Sequence, residues 1–286
     1  MDAVFIINPF SAKQQYKSFL EKLTKKYPEA NFLLSQSIED THRFIDAHFD
    51  CANIFVAVGG DGTISTVAQK LINTDKILAA FPLGSGNGFS NETQFTQDIA
   101  DLLQKIKNKR FYKIDTVMIN NHLSINISGI GFDAEVINRF EKTSRGFTNY
   151  LKTTLKTFFG YQPVQVEFEE KYKRYNGNYL MMNVANTRQF GNHAYIAPQA
   201  NYRDGMVDIV LVKKFPWWYS FNFAFRMFTK SLKGSHYLTY FRVSKLSCKV
   251  ENSKAWHLDG EGLNINSPVE IKVLPHSLNV LGNQVS

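Results

Sequence analysis

The sequence predicts two domains: an α/β domain with a doubly wound, mostly parallel sheet, then an antiparallel β-sandwich carrying inserted helices. Three observations lead to this. Over residues 1–115, short apolar runs alternate with segments of helical spacing. Three of the turns that end these runs carry Asn-Pro or clustered glycines. After Tyr112 the alternation gives way to strand-like runs that follow one another more directly. With 286 residues and 44% apolar content the chain can bury a sizeable core, and its length favours two domains over one.

In chain order, Val4 to Ile7 form a first strand ending on Asn8-Pro9-Phe10-Ser11, and Phe19, Leu20, Leu23 and Tyr27 mark a helix behind it. Phe32 to Leu34 form a second strand. Ser37-Ile38-Glu39-Asp40 then has the pattern of a helix cap ahead of Phe44, Ile45 and Phe49. Ile54 to Val58 are β-branched enough for an interior parallel strand, and Ile64, Val67, Ala68 and Leu71 continue at helical spacing. Ile77 to Phe81 form a fourth strand, ending on Pro82-Leu83-Gly84-Ser85-Gly86-Asn87-Gly88-Phe89, and Ile99, Leu102, Leu103 and Ile106 mark the next helix. In such a sheet ligands bind at the carboxyl ends of the strands, the edge where these special turns fall.

The chemistry concentrates at Gly59-Gly60-Asp61-Gly62-Thr63, between the third strand and its helix. A strand, a glycine turn and a helix start aim backbone N–H groups and the positive end of a helix dipole at one point. Side chains would block that approach, hence the glycines. Asp61 would repel a bare phosphate, so the turn points to a Mg²⁺-nucleotide. No Gly-Lys-Ser/Thr follows, which excludes a Walker A loop.

The second half begins with Thr116 to Ile119 and Leu123 to Ser128, which read as a hairpin across Asn120-Asn121-His122. Strand-like runs recur at Val164 to Phe168, Tyr179 to Ala185, Val207 to Val212, Leu246 to Val250 and Val269 to Val273. The boundary lies near Ile114-Asp115, giving domains 1–115 and 116–275, with Leu278 to Leu281 returning to the first sheet.

The net charge of +8 is uneven. Residues 1–115 hold 13 basic and 13 acidic side chains, residues 116–286 hold 20 and 12, so the whole surplus lies in the second half. A basic half suits an anionic partner. Arg139 to Phe159 carries Arg139, Lys142, Arg145, Lys152 and Lys156 against one acid, with Leu151, Leu155 and Phe158 on one helical face. Lys213 to Tyr240 mixes Trp217, Trp218, Tyr219, Phe221, Phe223, Phe225 and Phe228 with cations, and Trp217 and Trp218 are expected to contact a membrane surface. No nucleic-acid motif is present. Cys51 and Cys248 lie far apart without Cys or His at metal-ligand spacing, so two buried thiols are expected. No apolar run reaches the roughly 18 residues of a membrane span, and the N-terminus lacks signal-peptide features. A cytoplasmic protein peripheral to the inner face of the membrane is the expectation.

In order, Asn8-Pro9, Gly59 to Thr63, Pro82 to Asn87, Gly131-Phe132-Asp133, Pro198-Gln199-Ala200 with Asp204-Gly205, and Asp259-Gly260-Glu261 resemble the soluble bacterial diacylglycerol kinase and sphingosine kinase family, over nearly the whole chain. The resemblance implies the same two-domain fold, its first half NAD kinase/phosphofructokinase-like. It implies an ATP- and Mg²⁺-dependent lipid kinase acting on diacylglycerol or a sphingoid lipid. ATP is then held by Asn8, Ser35, Gly59, Gly60, Asp61, Gly62, Thr63, Gly84, Ser85, Gly86 and Asn87. Glu261 stands at the family's general base, Asp61 helps place Mg²⁺ and phosphates, and Asp115 and Asp133 support the acidic cluster. Asp204, with the backbone carbonyls of Asn201 and Met206, matches a structural metal site for Mg²⁺ or Ca²⁺. The third strand's end and the Asp-Gly-Glu turn are expected to converge across an interdomain cleft.

The chain departs from the pattern at three places. Gly88 stands where many diacylglycerol kinases carry an acid, Ala12 where a glycine often stands, and Arg203 where an acid often precedes Asp204. Gly88 weakens a specific diacylglycerol assignment. An NAD kinase-like enzyme and a catalytically inactive lipid-binding regulator are the alternatives, and nothing indicates the homodimer that the reading allows.

Overall fold

A computed structural model describes residues 2–11, 15–84, 86–140, 154 and 156–283. Ser85, Ala12 and most of the basic segment expected over 139–159 lie outside the described residues. The chain divides into two compact units, Met1–Thr116 with Pro275–Ser286, and Val117–Leu274.

In the first unit, β1 (Ala3–Ile7), β2 (Phe32–Leu34), β3 (Ile54–Gly59) and β4 (Ile77–Pro82) are parallel in the order β2-β1-β3-β4. β1, β3 and β4 are buried along their whole length, as strands covered on both faces must be. α1 (Tyr16–Lys26) turns Phe19 and Leu23 inward. α2 (Ile38–His48) starts at Ser37, whose hydroxyl accepts the Asp40 N–H at 3.1 Å. α3 (Asp61–Leu71) buries Ile64, Val67, Ala68 and Leu71, the stripe its spacing predicts. α4 (Gly88–Glu92) and α5 (Ile99–Asn108) follow β4, and α5 is capped by Asp98. The last part of β16 (Val269–Leu281) runs parallel to β4, pairing Asn279 with Ile77 and Val280 with Leu78.

The second unit is built on antiparallel pairing. One sheet contains β8 (Val164–Phe168), β9 (Gly177–Tyr179), β13 (Lys245–Glu251) and the first part of β16. The other has β12 (Leu238–Val243), β11 (Val207–Val212), β10 (Met181–Ala185), β7 (Ile127–Gly131), β14 (Ala255–Leu258) and β15 (Glu261–Asn264), in that order. Val166, Leu246 and Ile271 of the first sheet meet Val184, Ile209 and Trp256 of the second in one core. β11 is buried on both faces: Val207, Ile209 and Leu211 serve that core, while Val210 and Val212 meet Phe158, Phe215, Phe223 and Leu232 behind it. Phe223 belongs to α7 (Tyr219–Phe228), one of the inserted helices; another is α6 (Phe132–Phe140), directly after β7.

Two expected strands are each divided. The hairpin partner of β5 (Phe111–Ile119) is only β6 (His122–Ser124), and the chain then enters the other sheet as β7. The cause is Asp259, whose carboxylate accepts the N–H groups of Ile125 and Asn126 at 3.0 and 2.9 Å and so ends the ladder there. Tyr179 to Ala185 splits at Leu180, whose N–H donates to the Val212 carbonyl and whose carbonyl accepts the Phe132 N–H, with β9 pairing with β8 and β10 with β7 and β11. Among the described residues, no helix is long and apolar enough to cross a membrane.

Candidate functional site

The first unit brings together most of the residues assigned to nucleotide. Register pairs Ile7 with both Leu34 and Val58, and Gly59 with Pro82, so Asn8, Ser35, Gly60 and Leu83 all leave the same carboxyl edge. Asn8 donates from Nδ2 to Thr63 Oγ1 at 3.1 Å and accepts the Phe10 N–H at 2.9 Å, tying the first turn to the head of α3. Ser35 is buried, with its hydroxyl shared with Thr41 at 2.6 Å and donated to the Ser37 carbonyl at 3.0 Å, so it shapes the start of α2.

The two glycine loops touch backbone to backbone. A Cβ at Gly84 would lie 2.8 Å from Gly60 Cα and 2.7 Å from Asn87 Oδ1, closer than real Cβ contacts come. Asp61, the first residue of α3, reaches across and accepts the N–H groups of Gly88 (3.0 Å) and Phe89 (3.3 Å) at the start of α4. Asn87, left-handed at φ 52°, donates to the Gly84 carbonyl at 2.8 Å. Its Oδ1 is buried and accepts no hydrogen bond among the described residues, which suits a cation or an N–H donor brought by a ligand. The Asn87 Oδ1 and the Asp61 carboxylate are oxygen donors of the kind that Mg²⁺ takes. Asp115 is buried in this unit and accepts the His276 N–H at 2.8 Å. That places it in the support of β5 and β16.

The second unit holds the other acids. Asp259 and Gly260 form the two-residue loop between β14 and β15, pairing Leu258 with Glu261, with φ of 51° and 97°. Both central residues of a tight hairpin turn need such positive values, which Asp-Gly supplies. Asp259 is committed a second way: besides Ile125 and Asn126, it accepts the Ser124 hydroxyl at 2.8 Å. Glu261 is exposed at the first position of β15.

Asp133 lies in the first turn of α6, and its Oδ2 accepts from Asn183 Nδ2 and from His257 Nε2, the latter at 3.1 Å. The arrangement follows from register. Gly129 of β7 is paired with Asn183 on one side and His257 on the other. A Cβ at Gly129 would stand 2.9 Å from the Asp133 carboxylate, so the missing side chain makes room for it. α6 packs on β14 and β15, the strands that carry the Asp-Gly-Glu turn. His257 and Asn183 escaped the sequence reading; the available signal was a polar side chain inside each of two otherwise apolar strands.

The expected structural metal loop has a cation of its own. Asp204 pairs through Oδ2 with Arg242, which also lies 3.7 Å from Asp208, and its Oδ1 accepts the Met206 N–H at 3.1 Å. Arg242 and the Met206 N–H thus engage the carboxylate of Asp204 in the loop of Asn201, Asp204 and Met206. Desolvation by burial still raises the Asp208 carboxyl to about 6 despite Arg242. Trp217 and Trp218 are exposed just before α7.

A parallel α/β unit with glycine loops along one edge, in a chain whose other unit is a β-sandwich, defines an NAD kinase-like class of fold. Solved structures agree. A putative diacylglycerol kinase from Bacillus anthracis str. Sterne matches with a TM-score of 0.78 over 98% of this chain and 95% of that one, at 22% identity. An NAD kinase from Archaeoglobus fulgidus in complex with ATP matches with a TM-score of 0.53 over 99% and 94%, at 13% identity.

The diacylglycerol kinase catalytic domain matches residues 2–119, and the YegS C-terminal NAD kinase beta sandwich-like domain matches residues 126–282. The chain belongs to this diacylglycerol kinase and YegS-like lipid kinase family. It is 27% identical to a diacylglycerol kinase of Bacillus subtilis (strain 168), over 91% of this chain and 89% of that protein. It is 25% identical to a putative lipid kinase of Streptococcus pneumoniae serotype 4, over 97% of each.

Proposed function

We propose that the protein transfers the γ-phosphate of ATP to a hydroxyl of diacylglycerol or a related neutral or sphingoid lipid at a membrane surface. The observation that carries this is that Glu261, directly after the Asp259-Gly260 turn, is presented at the surface at the first position of β15. A lipid hydroxyl is too weak an acid to ionise alone. Glu261 takes its proton as the new oxygen–phosphorus bond forms and the bond to ADP breaks. The backbone N–H groups of Gly59 to Thr63 and Gly84 to Asn87 hold the phosphates, and Mg²⁺, when bound beside Asp61, offsets their charge.

The NAD kinase fold supports a second reading, phosphorylation of a small dinucleotide. The test is incubation with labelled ATP and a panel of diacylglycerol, ceramide, sphingosine, monoacylglycerol, undecaprenol and NAD. Label on a lipid is the expected result. Label on NAD alone would replace the lipid reading with the second one.

A further inference from the structure

Helix α7 is apolar on two faces, and only one of them is packed. Phe223 is buried, with Tyr219 and Met227 half-buried beside it, at the four-residue spacing of one helical face. Phe223 stacks on Phe215 at 5.1 Å between ring centroids, and Tyr219 lies 4.7 Å from Tyr237 while its hydroxyl meets Ser235 Oγ at 2.7 Å. That face is fully accounted for by the sandwich. The opposite face carries Phe221, Phe225 and Phe228, exposed by 73%, 66% and 56%, and the stripe runs back to Trp217 and Trp218 at 56% and 64%. Five large aromatic side chains in twelve residues stand in water, a patch that a protein does not keep without something to cover it.

The surrounding charge says what covers it. From 213 to 240 the chain has Lys213, Lys214, Arg226, Lys230 and Lys233 and no aspartate or glutamate. Among the described residues none of these five pairs with a carboxylate. Lys214 donates to the Tyr161 carbonyl, Arg226 to Asn222 and the Ser231 carbonyl, and Lys233 to Gln199, while Lys230 sits over the Tyr195 ring. A second copy docking face to face would set five cations against five. An anionic bilayer matches both properties, since aromatic rings settle at the headgroup boundary and the lysines meet lipid phosphates.

We propose that the outer face of α7, Phe221, Phe225 and Phe228 continuing from Trp217 and Trp218, inserts into the headgroup region of an anionic lipid bilayer. This deepens the lipid kinase reading, naming the surface by which the chain reaches its substrate. α7 lies in the plane of the interface with its inner face still on β11, and Lys213, Lys214, Lys230 and Lys233 contact headgroups around it.

The test is co-sedimentation with vesicles of phosphatidylglycerol and phosphatidylcholine, and with vesicles of phosphatidylcholine alone. The wild-type chain binds the anionic vesicles and binds the neutral ones weakly. F221S/F225S/F228S, folded by circular dichroism, loses at least about tenfold in partition to the anionic vesicles. W217A/W218A, which leaves α7 itself intact, loses severalfold. Equal binding by wild type and the triple variant overturns the proposal, as does a wild-type dimer in sedimentation velocity that the triple variant abolishes. Phosphate transfer to lipid in detergent micelles is measured alongside. Loss of vesicle binding by wild type with micellar transfer intact removes the docking surface and leaves the kinase; vesicle binding without micellar transfer supports the docking surface and removes the kinase.

Discussion

The carboxylate of Asp61 accepts the backbone N–H of Gly88 at 3.0 Å, so the head of α3 holds the head of α4 and the two glycine loops form one structure. Gly88 is the position where the sequence departs from the acid of many relatives. A backbone N–H there serves as partner to the acid of the other loop.

Asp61→Ala removes a charged acceptor from two backbone donors and is expected to destabilise by about 2 kcal/mol in denaturant titration. Asp61→Asn retains one oxygen and is expected to cost about half as much. Both variants should bind ATP more weakly, because loosening α4 moves the second loop away from the first. Stability equal to wild type in Asp61→Ala would mean that the contact with Gly88 holds nothing.

Gly84→Ala tests the close approach of the loops directly. Its methyl would meet Gly60 Cα at 2.8 Å, a backbone atom that cannot rotate away. The expected cost is about 1–3 kcal/mol, with a clear fall in ATP affinity by calorimetry. Gly177→Ala, whose methyl would find its nearest neighbour at 3.5 Å, should leave nucleotide binding alone.

The Asp133 network sits over Gly129 with Asn183 and His257 on either side, all three paired in register. Asp133→Ala would leave two buried donors without their acceptor and is expected to destabilise by about 3 kcal/mol. Gly129→Ala should act similarly by pushing on the carboxylate. If Asp133→Ala unfolds at the wild-type midpoint, the network does not hold α6 to β14.

The two thiols should differ sharply. Burial, with a smaller contribution from the charge of Glu169, pushes the Cys248 thiol up to about 12, whereas Cys51, expected to be buried, is exposed because it lies in the turn that follows α2. A disulfide reagent at pH 8 is expected to label one thiol in the native protein and two after unfolding. Labelling of Cys248 at the rate of Cys51 would contradict the packing of β13 against β8 and β16.

Much of this architecture is legible in the residues. Ile64, Val67, Ala68 and Leu71 are all buried on α3, and Val207 to Val212 is a strand over the range its pattern marks. Local periodicity reports which residues share a face, but it does not report which sheet a strand joins. That is why Leu123 to Ser128 and Tyr179 to Ala185 read as single strands, although tertiary bonds at Ile125 and Leu180 divide them. β14 is four residues long and buries adjacent Trp256 and His257, so it lacks the alternation that marks a strand. Glu261 was legible through its motif. His257 and Asn183 became visible only when Gly129 was seen to stand between them.

Glu261 is proposed to accept the proton of a lipid hydroxyl during phosphate transfer from ATP. The most direct measurement is the rate of label transfer from ATP to diacylglycerol or sphingosine in detergent micelles by wild type and Glu261→Gln, with ATP affinity measured in parallel. Turnover is expected to fall by at least about 100-fold with ATP affinity unchanged. Turnover equal to wild type in Glu261→Gln would contradict that role.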